Sequence, residues 1–129
     1  MNIILPPGWP RPKGFSNAIV AEGRMVFIAG QIGWTPDETF ETDDFAGQTR
    51  QALLNIKALV EAAGGRAADI VRLTWYVTDK QDYLSNLAGV GAAYREVIGA
   101  HYPVMALVQV VALVEDRAKV EIEATAVLS

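Results

Sequence analysis

Apolar residues alternate with polar ones, or cluster in short runs, in several parts of this chain. The runs 17–21 and 25–29 are short, rich in β-branched residues and separated by Glu22-Gly23, which predicts a β-hairpin. From residue 70 to 78 apolar and polar positions alternate, which is typical of a strand with one buried face. The pattern thus predicts three strands before residue 80.

A helix is predicted between the second and third strands. Apolar residues recur every three or four positions from about residue 44 to 63, which places them on one helical face. Thr42 or Asp43 can cap its first turn. Gly64-Gly65 ends it, because glycine readily adopts the left-handed conformation that follows a helix.

A second helix is predicted from about residue 82 to 98, again from apolar spacing. It contains Gly89 and Gly91, each of which costs about 1 kcal/mol relative to alanine inside a helix. Such a pair more often lets a neighbouring backbone or a ligand approach closely than it breaks the helix. We therefore keep one helix across both glycines.

The last two strands differ in pattern. In 104–114 the only polar residue is Gln109, so both faces of the predicted strand are apolar. This favours a strand covered on one side by helices and on the other by a second subunit. Residues 119–127 alternate again, with apolar side chains inward. The resulting order ββαβαββ predicts an α+β fold, a single domain over residues 1–129 in which one sheet carries two helices on one face. A proline-rich arm precedes it at residues 1–14.

Composition and charge narrow the function. The chain has no cysteine, which excludes disulfides and thiol nucleophiles. Its net charge is −4 and its cations are scattered, so we expect no nucleic acid partner. The apolar run Ile3-Ile4-Leu5 is too short for a signal peptide, and no stretch is long enough to span a bilayer. We expect a cytoplasmic protein without membrane contact.

Few residues offer catalytic chemistry. His101 is the only histidine, so no histidine cluster can bind a metal, and a structural role is favoured over a catalytic one. No phosphate-binding glycine loop and no nucleophile elbow are present. Glu121 and Glu123 share one face of the last strand, roughly 7 Å apart. Their pattern alone slightly favours a solvated face, but the apolar neighbouring strand implies that this face is partly covered. A carboxylate there could orient a water molecule.

Segments in order along the chain resemble the RidA/YjgF family. They are Gly14-Phe15-Ser16-Asn17-Ala18, Phe27-Ile28-Ala29-Gly30-Gln31-Ile32, Ala52-Leu53-Leu54-Asn55-Ile56 with Glu61-Ala62-Ala63-Gly64, Asp69-Ile70-Val71-Arg72-Leu73-Thr74 with Val77-Thr78-Asp79, Tyr102-Pro103, and Val120-Glu121-Ile122-Glu123-Ala124. The match covers residues 14 to 127.

The resemblance implies a chorismate-mutase-like homotrimer with small-ligand clefts between subunits. Active members hydrolyse enamine or imine intermediates to keto acids and ammonia, with no cofactor and no metal. Glu121 matches the glutamate thought to position the attacking water, and Gly30 matches a glycine of the cleft. The implied ligand-binding residues are Phe15, Gly30, Gln31, Ile32, Trp34, Gly91, Met105, Ala106 and Leu107.

Three of these positions depart from the family pattern. Phe15 stands where a tyrosine is usual, and Gly91 where an asparagine is common. Met105 occupies the position of the arginine that pairs with the substrate carboxylate. Arg95, Arg72 or Lys119 could replace that cation. Trp34 is an added bulky residue, equally compatible with the cleft and with ordinary packing.

Two functions follow. The first is a diverged hydrolase, a deaminase that uses Glu121 and water on an imine-like substrate, with a larger conjugated enamine as one option. The second is a non-catalytic, regulatory trimer that binds a small ligand. The retained Glu121 favours the enzyme, whereas Met105, Phe15 and Gly91 favour the binder or a changed substrate.

Overall fold

The structure, a computed structural model, describes residues 1–129. Six strands, three α-helices and one 3₁₀ turn follow one another along the chain. Their bounds are β1 (Asn2–Ile4), β2 (Ala18–Val20), β3 (Arg24–Ile32), α1 (Phe45–Ala62), the 3₁₀ turn (Ala67–Asp69), β4 (Ile70–Val77), α2 (Lys80–Leu84), α3 (Leu87–Val97), β5 (Val104–Gln109) and β6 (Val120–Leu128).

The main sheet has the strand order β3-β6-β4-β5. Strands β4 and β5 are parallel, and the other neighbours are antiparallel. Helices α1 and α3 pack against each other, and α1 lies on β3 and β6, so one face of the sheet is covered. The core is the apolar layer between helices and sheet. The α+β class with two main helices on one sheet face is confirmed. No helix is long and apolar enough to cross a membrane.

The predicted hairpin of residues 17–21 with 25–29 is wrong. Strand β2 pairs with β1 of the N-terminal arm, with Ile3 opposite Ile19, and together they form a separate two-stranded ribbon. Strand β3 pairs instead with β6, from Arg24 opposite Leu128 to Ile32 opposite Glu121. Both predicted strands exist, but an apolar pattern specifies which residues are extended and not which strand satisfies their backbone hydrogen bonds.

Helix α1 begins and ends close to the predicted bounds. Its cap is Asp44, whose Oδ2 accepts a hydrogen bond from the N–H of Gly47 at 2.8 Å. The predicted caps Thr42 and Asp43 are therefore wrong. Thr42 lies two residues before the cap, and its Oγ1 accepts a hydrogen bond from the N–H of Asp44. After the helix, Gly64 has φ +93°, the left-handed conformation expected of it.

The second predicted helix is two helices, α2 and α3, with a break at Ser85-Asn86. Asn86 has φ −128° and ψ 26°, outside the helical region, and its side chain donates to the carbonyl of Asp82 at 2.7 Å. A side chain that bonds to nearby backbone offers the chain an alternative to continuing the helix. Gly89 and Gly91 lie inside α3, so neither glycine causes the break.

Strand β5 ends at Gln109, five residues earlier than predicted, and forms one edge of the sheet. Val111 and Val114 are fully exposed in the following loop. The residues after Gln109 are still apolar, so composition could not show where the backbone pairing of β5 ends. In β6 the inward set Val120, Ile122, Ala124 and Ala126 is buried, as predicted.

Gln48 of α1 forms hydrogen bonds with the loop between β5 and β6. Its side chain is fully buried. Its Nε2 donates to the carbonyls of Thr42 (3.2 Å) and Arg117 (3.0 Å), and its Oε1 accepts from the N–H of Lys119 (2.8 Å). One amide therefore satisfies three backbone groups from the two loops that flank α1 and β6.

Replacing Gln48 with Met should lower the free energy of unfolding by about 2 kcal/mol, because buried backbone groups lose their partners while the side-chain volume is kept. Chemical denaturation measures the change. The control is Gln51→Met in the same helix, since Gln51 donates only to Asn55 at 2.9 Å. Equal stabilities of the two variants would contradict this role of Gln48.

Candidate functional site

A pocket of about 410 Å³ lies between α3, the strands β4 and β5, and the segment that precedes β2. This volume falls in the range of small-molecule sites. Four of the predicted ligand-binding residues line it: Phe15, Gly91, Met105 and Leu107. Phe15 is thus brought together with three residues that lie 76 or more positions later in the chain.

Ser16 holds Phe15 at this pocket. The Ser16 N–H donates to the carbonyl of Pro103 at 3.0 Å, and its hydroxyl donates to the carbonyl of Tyr102 at 2.5 Å. Ser16 is itself buried. These bonds attach the N-terminal segment to the start of β5, so that Phe15 lies beside Met105.

Aromatic side chains form one wall of the pocket. Tyr94 of α3 stacks on Tyr102 with ring centroids 5.6 Å apart and planes 13° from parallel. The Tyr94 hydroxyl donates to the carbonyl of His101. Burial raises the pKa of Tyr94 above its ordinary value of 10, with a smaller contribution from Tyr102. Tyr94 is therefore neutral at physiological pH and serves as wall and structural donor.

His101 has a structural contact, in line with the reading favoured from sequence. Its Nε2 donates to the carbonyl of Ile70 at 2.6 Å, because a carbonyl can only accept. The imidazole thus fastens the segment before β5 to the start of β4.

Arg95 supplies a cation to the pocket. It stands one helical turn after Gly91, and a Cβ built on Gly91 would lie 3.2 Å from the Arg95 Nη1. The guanidinium therefore lies over the glycine, in space that a larger residue would fill. Of the cations considered as replacements for the missing arginine, Arg95 lines the pocket, whereas Arg72 and Lys119 do not.

Glu121 lies elsewhere, beside the end of β3. It is opposite Ile32, and Gln31 is opposite Ile122. A Cβ on Gly30 would lie 2.7 Å from the Glu121 carboxyl carbon, so glycine leaves room for this carboxylate. Glu121 is half-buried and has no hydrogen-bond or ion-pair partner within the protomer.

Glu123 differs from Glu121 in being paired. Its Oε1 accepts a hydrogen bond from the Tyr76 hydroxyl at 2.6 Å. This bond raises the pKa of Tyr76, with further contributions from burial and from the charges of Glu123 and Glu121. Of the two carboxylates, Glu121 is the one left free to bind a water molecule.

Within one protomer the two groups of site residues lie on opposite faces of the sheet. Met105 and Leu107 face the helices together with Trp75. Glu121 alternates with the buried Val120 and Ile122 and therefore faces the open side. A single protomer does not bring Glu121 to the pocket.

Of the remaining predicted residues, Ala106 lines a smaller cavity of about 200 Å³ together with Phe15, Met105 and Arg72, and Trp34 belongs to neither group. Ala106 is exposed and alternates with Met105 and Leu107 on β5. Trp34 packs against Phe40, with ring centroids 5.8 Å apart.

The pocket also contains residues that sequence reasoning did not assign to the site. They are Lys13, Trp75, Tyr83, Tyr94 and Tyr102. Tyr83 and Tyr94 gave only the signal of an apolar helix face, which does not distinguish a pocket wall from the core. No group of three or more carboxylate, histidine or cysteine side chains could hold a metal ion.

Comparisons with known proteins identify relatives over nearly the whole chain. A family model described as Endoribonuclease L-PSP matches residues 10–128. The 2-iminobutanoate/2-iminopropanoate deaminase of Salmonella typhimurium is 41% identical over 108 residues, covering 81% of this chain and 80% of that protein. A RutC family protein of Pyrococcus horikoshii is 37% identical over 126 residues, covering 96% and 95%.

Solved structures agree with the sequence relatives. YyfB of Yersinia pestis, described as a conserved Rid family protein of unknown function, superposes with a TM-score of 0.86 at 34% identity, covering 98% of both chains. TdcF of Escherichia coli, solved with bound serine, gives a TM-score of 0.71 at 36% identity, covering 90% of this chain and 94% of that one. With the family model, the relatives and the fold in agreement, the chain belongs to the RidA/YjgF family.

Proposed function

We propose that this protein is a cofactor-free hydrolase that converts an imine or enamine to a carbonyl compound and ammonia. An enamine first tautomerises to the imine. Water adds to the C=N carbon of the imine, and the C–N bond of the resulting carbinolamine then breaks. The nitrogen leaves as ammonia and the water oxygen stays as the carbonyl. The names of its relatives, which include 2-iminobutanoate/2-iminopropanoate deaminases, support this class of reaction.

Glu121 carries the proposal. Its carboxylate lies against Gly30, is half-buried and has no partner within the protomer, whereas Glu123 is bonded to Tyr76. A free carboxylate can accept a proton from the attacking water and return it to the leaving nitrogen. The description of the family model names a ribonuclease, but a net charge of −4 with dispersed cations is not typical of a protein that binds a phosphate backbone.

The proposed active unit is a homotrimer that binds its small ligand in clefts between subunits. In one protomer Glu121 and the pocket lie on opposite sheet faces, so a partner subunit is needed to place a carboxylate at the pocket. The open face also exposes Phe27 (75%), Met25 (58%) and Val108 (44%), an apolar surface typical of one that associates.

Sedimentation should show a trimer for the wild type, and Val108→Asp should give monomeric or insoluble protein, because the trimer would bury an unpaired charge. Leu59→Asp is the matched control: Leu59 is 43% exposed on α1, which covers the opposite face of the sheet, and this variant should remain trimeric. A monodisperse wild-type monomer would show that the proposed assembly is wrong.

The second candidate is a non-catalytic trimer that binds a small regulatory ligand. Met105 and Phe15 favour it, because neither has the polar atom that the family pattern puts at its position. An assay separates the two functions: imines are generated in situ by an amino acid oxidase, and their decay is followed with and without the protein. Accelerated decay supports the hydrolase. Decay at the spontaneous rate over a panel of imines supports the binder.

A further inference from the structure

We propose that the pocket beside α3 binds a planar, aromatic or conjugated carboxylate, and that Arg95 is the residue that anchors the carboxylate. This ligand class rests on the proposed function in one respect, since both take this pocket as the ligand site.

The walls fit a flat apolar body. Phe15, Tyr83, Tyr94 and Tyr102 contribute aromatic rings, and Met105 and Leu107 contribute flexible aliphatic surface. Aromatic rings pack favourably in offset or tilted arrangements, and the methionine thioether also makes favourable contacts with ring edges. A volume of about 410 Å³ accommodates a ring with one or two substituents.

The charge of the pocket is positive. Lys13 and Arg95 are among its lining residues, and no Asp or Glu is. Arg95 has no ion-pair partner, whereas Arg50 is bound to Glu96 at 2.8 Å and Arg117 to Asp43 at 3.0 Å. An arginine whose guanidinium is free and lies across Gly91 can offer two parallel N–H groups to a carboxylate.

Calorimetric titration of the full chain tests the proposal with benzoate as the probe. Benzamide has the same shape without the charge, and cyclohexanecarboxylate has the charge without the planar ring. We expect benzoate to bind at least about tenfold more tightly than either, because a charge-assisted pair and ring stacking each contribute on that scale. Equal affinities of benzoate and benzamide would overturn the anchor, and absent benzoate binding would overturn the ligand class.

Two variants test the residue itself. Arg95→Gln should weaken benzoate binding about tenfold or more. The control is Arg66→Gln, which should leave binding unchanged because the Arg66 side chain is 79% exposed and does not line the pocket. Gly91→Leu should also weaken binding by displacing the guanidinium. It should not lower the Tm, since leucine favours helix over glycine. Unchanged affinity in Arg95→Gln would overturn the assignment.

The outcome is separable from that of the proposed function. Benzoate binding that depends on Arg95, in a protein that hydrolyses no imine, would refute the hydrolase and leave this inference standing. Imine hydrolysis that benzoate does not inhibit and that Arg95→Gln does not slow would refute this inference and leave the hydrolase standing.

Discussion

Glu121→Gln should reduce the hydrolysis of any imine that the wild type accepts by about 10²–10⁴-fold, the usual contribution of a residue that transfers a proton in the rate-limiting step. Glutamine keeps the length and shape of the side chain beside Gly30 but cannot accept the proton of the attacking water. The loss should appear in kcat, since the variant keeps the pocket residues that bind the ligand. Single-turnover decay of an imine generated in situ measures it.

Glu123→Gln is the matched control, because it makes the same change two residues away on the same face of β6. Glutamine at 123 can still accept the hydrogen bond that the Tyr76 hydroxyl donates to Glu123 Oε1 at 2.6 Å. We therefore expect its activity to remain close to that of the wild type. A fully active Glu121→Gln variant, or equal losses in both variants, would show that Glu121 does not have the proposed role.

The wild type should hydrolyse 2-iminopropanoate poorly, and Met105→Arg should improve it about tenfold to over a hundredfold. Hydrogen bonds to a charged group contribute about 1.5–3 kcal/mol each, and Met105 offers the substrate carboxylate no donor. Met105 lines the pocket beside Phe15 and Leu107, so an arginine there could extend toward the same space. The measurement is the decay of 2-iminopropanoate with each protein.

The variant Arg95→Gln tests whether Arg95 already binds the carboxylate of 2-iminopropanoate in the wild type. If the guanidinium over Gly91 already serves a small imino acid, the wild type will turn it over efficiently and Arg95→Gln will abolish that turnover. Efficient wild-type turnover would refute the prediction about Met105 in either case. A gain confined to Met105→Arg, and lost again in Met105→Arg with Glu121→Gln, would support both the match of position 105 to the family arginine and the role of Glu121.

The sequence predicted the elements in which the spacing of apolar side chains shows which face is buried. The alternation in β6 predicted the burial of Val120 and Ile122, and the three-to-four spacing with Gly64 predicted α1 to within one residue at either end. These patterns are local, since the period of a helix or strand is set by its own backbone geometry. The family segments added the fold and the candidates Glu121, Gly30 and Met105.

Tertiary structure decided what depends on distant residues. It paired β2 with β1 and β3 with β6, because backbone hydrogen bonds can be satisfied by any strand of suitable register. It ended β5 at Gln109, where apolar composition continued. It also separated Met105 from Glu121 by the thickness of the sheet and placed Arg95 over Gly91 among aromatic rings. The apolar pattern of α3, β4 or β5 shows that one face of that element is covered. It does not show which residues of the other elements cover it, so the contacts that form the pocket could not be predicted from the pattern.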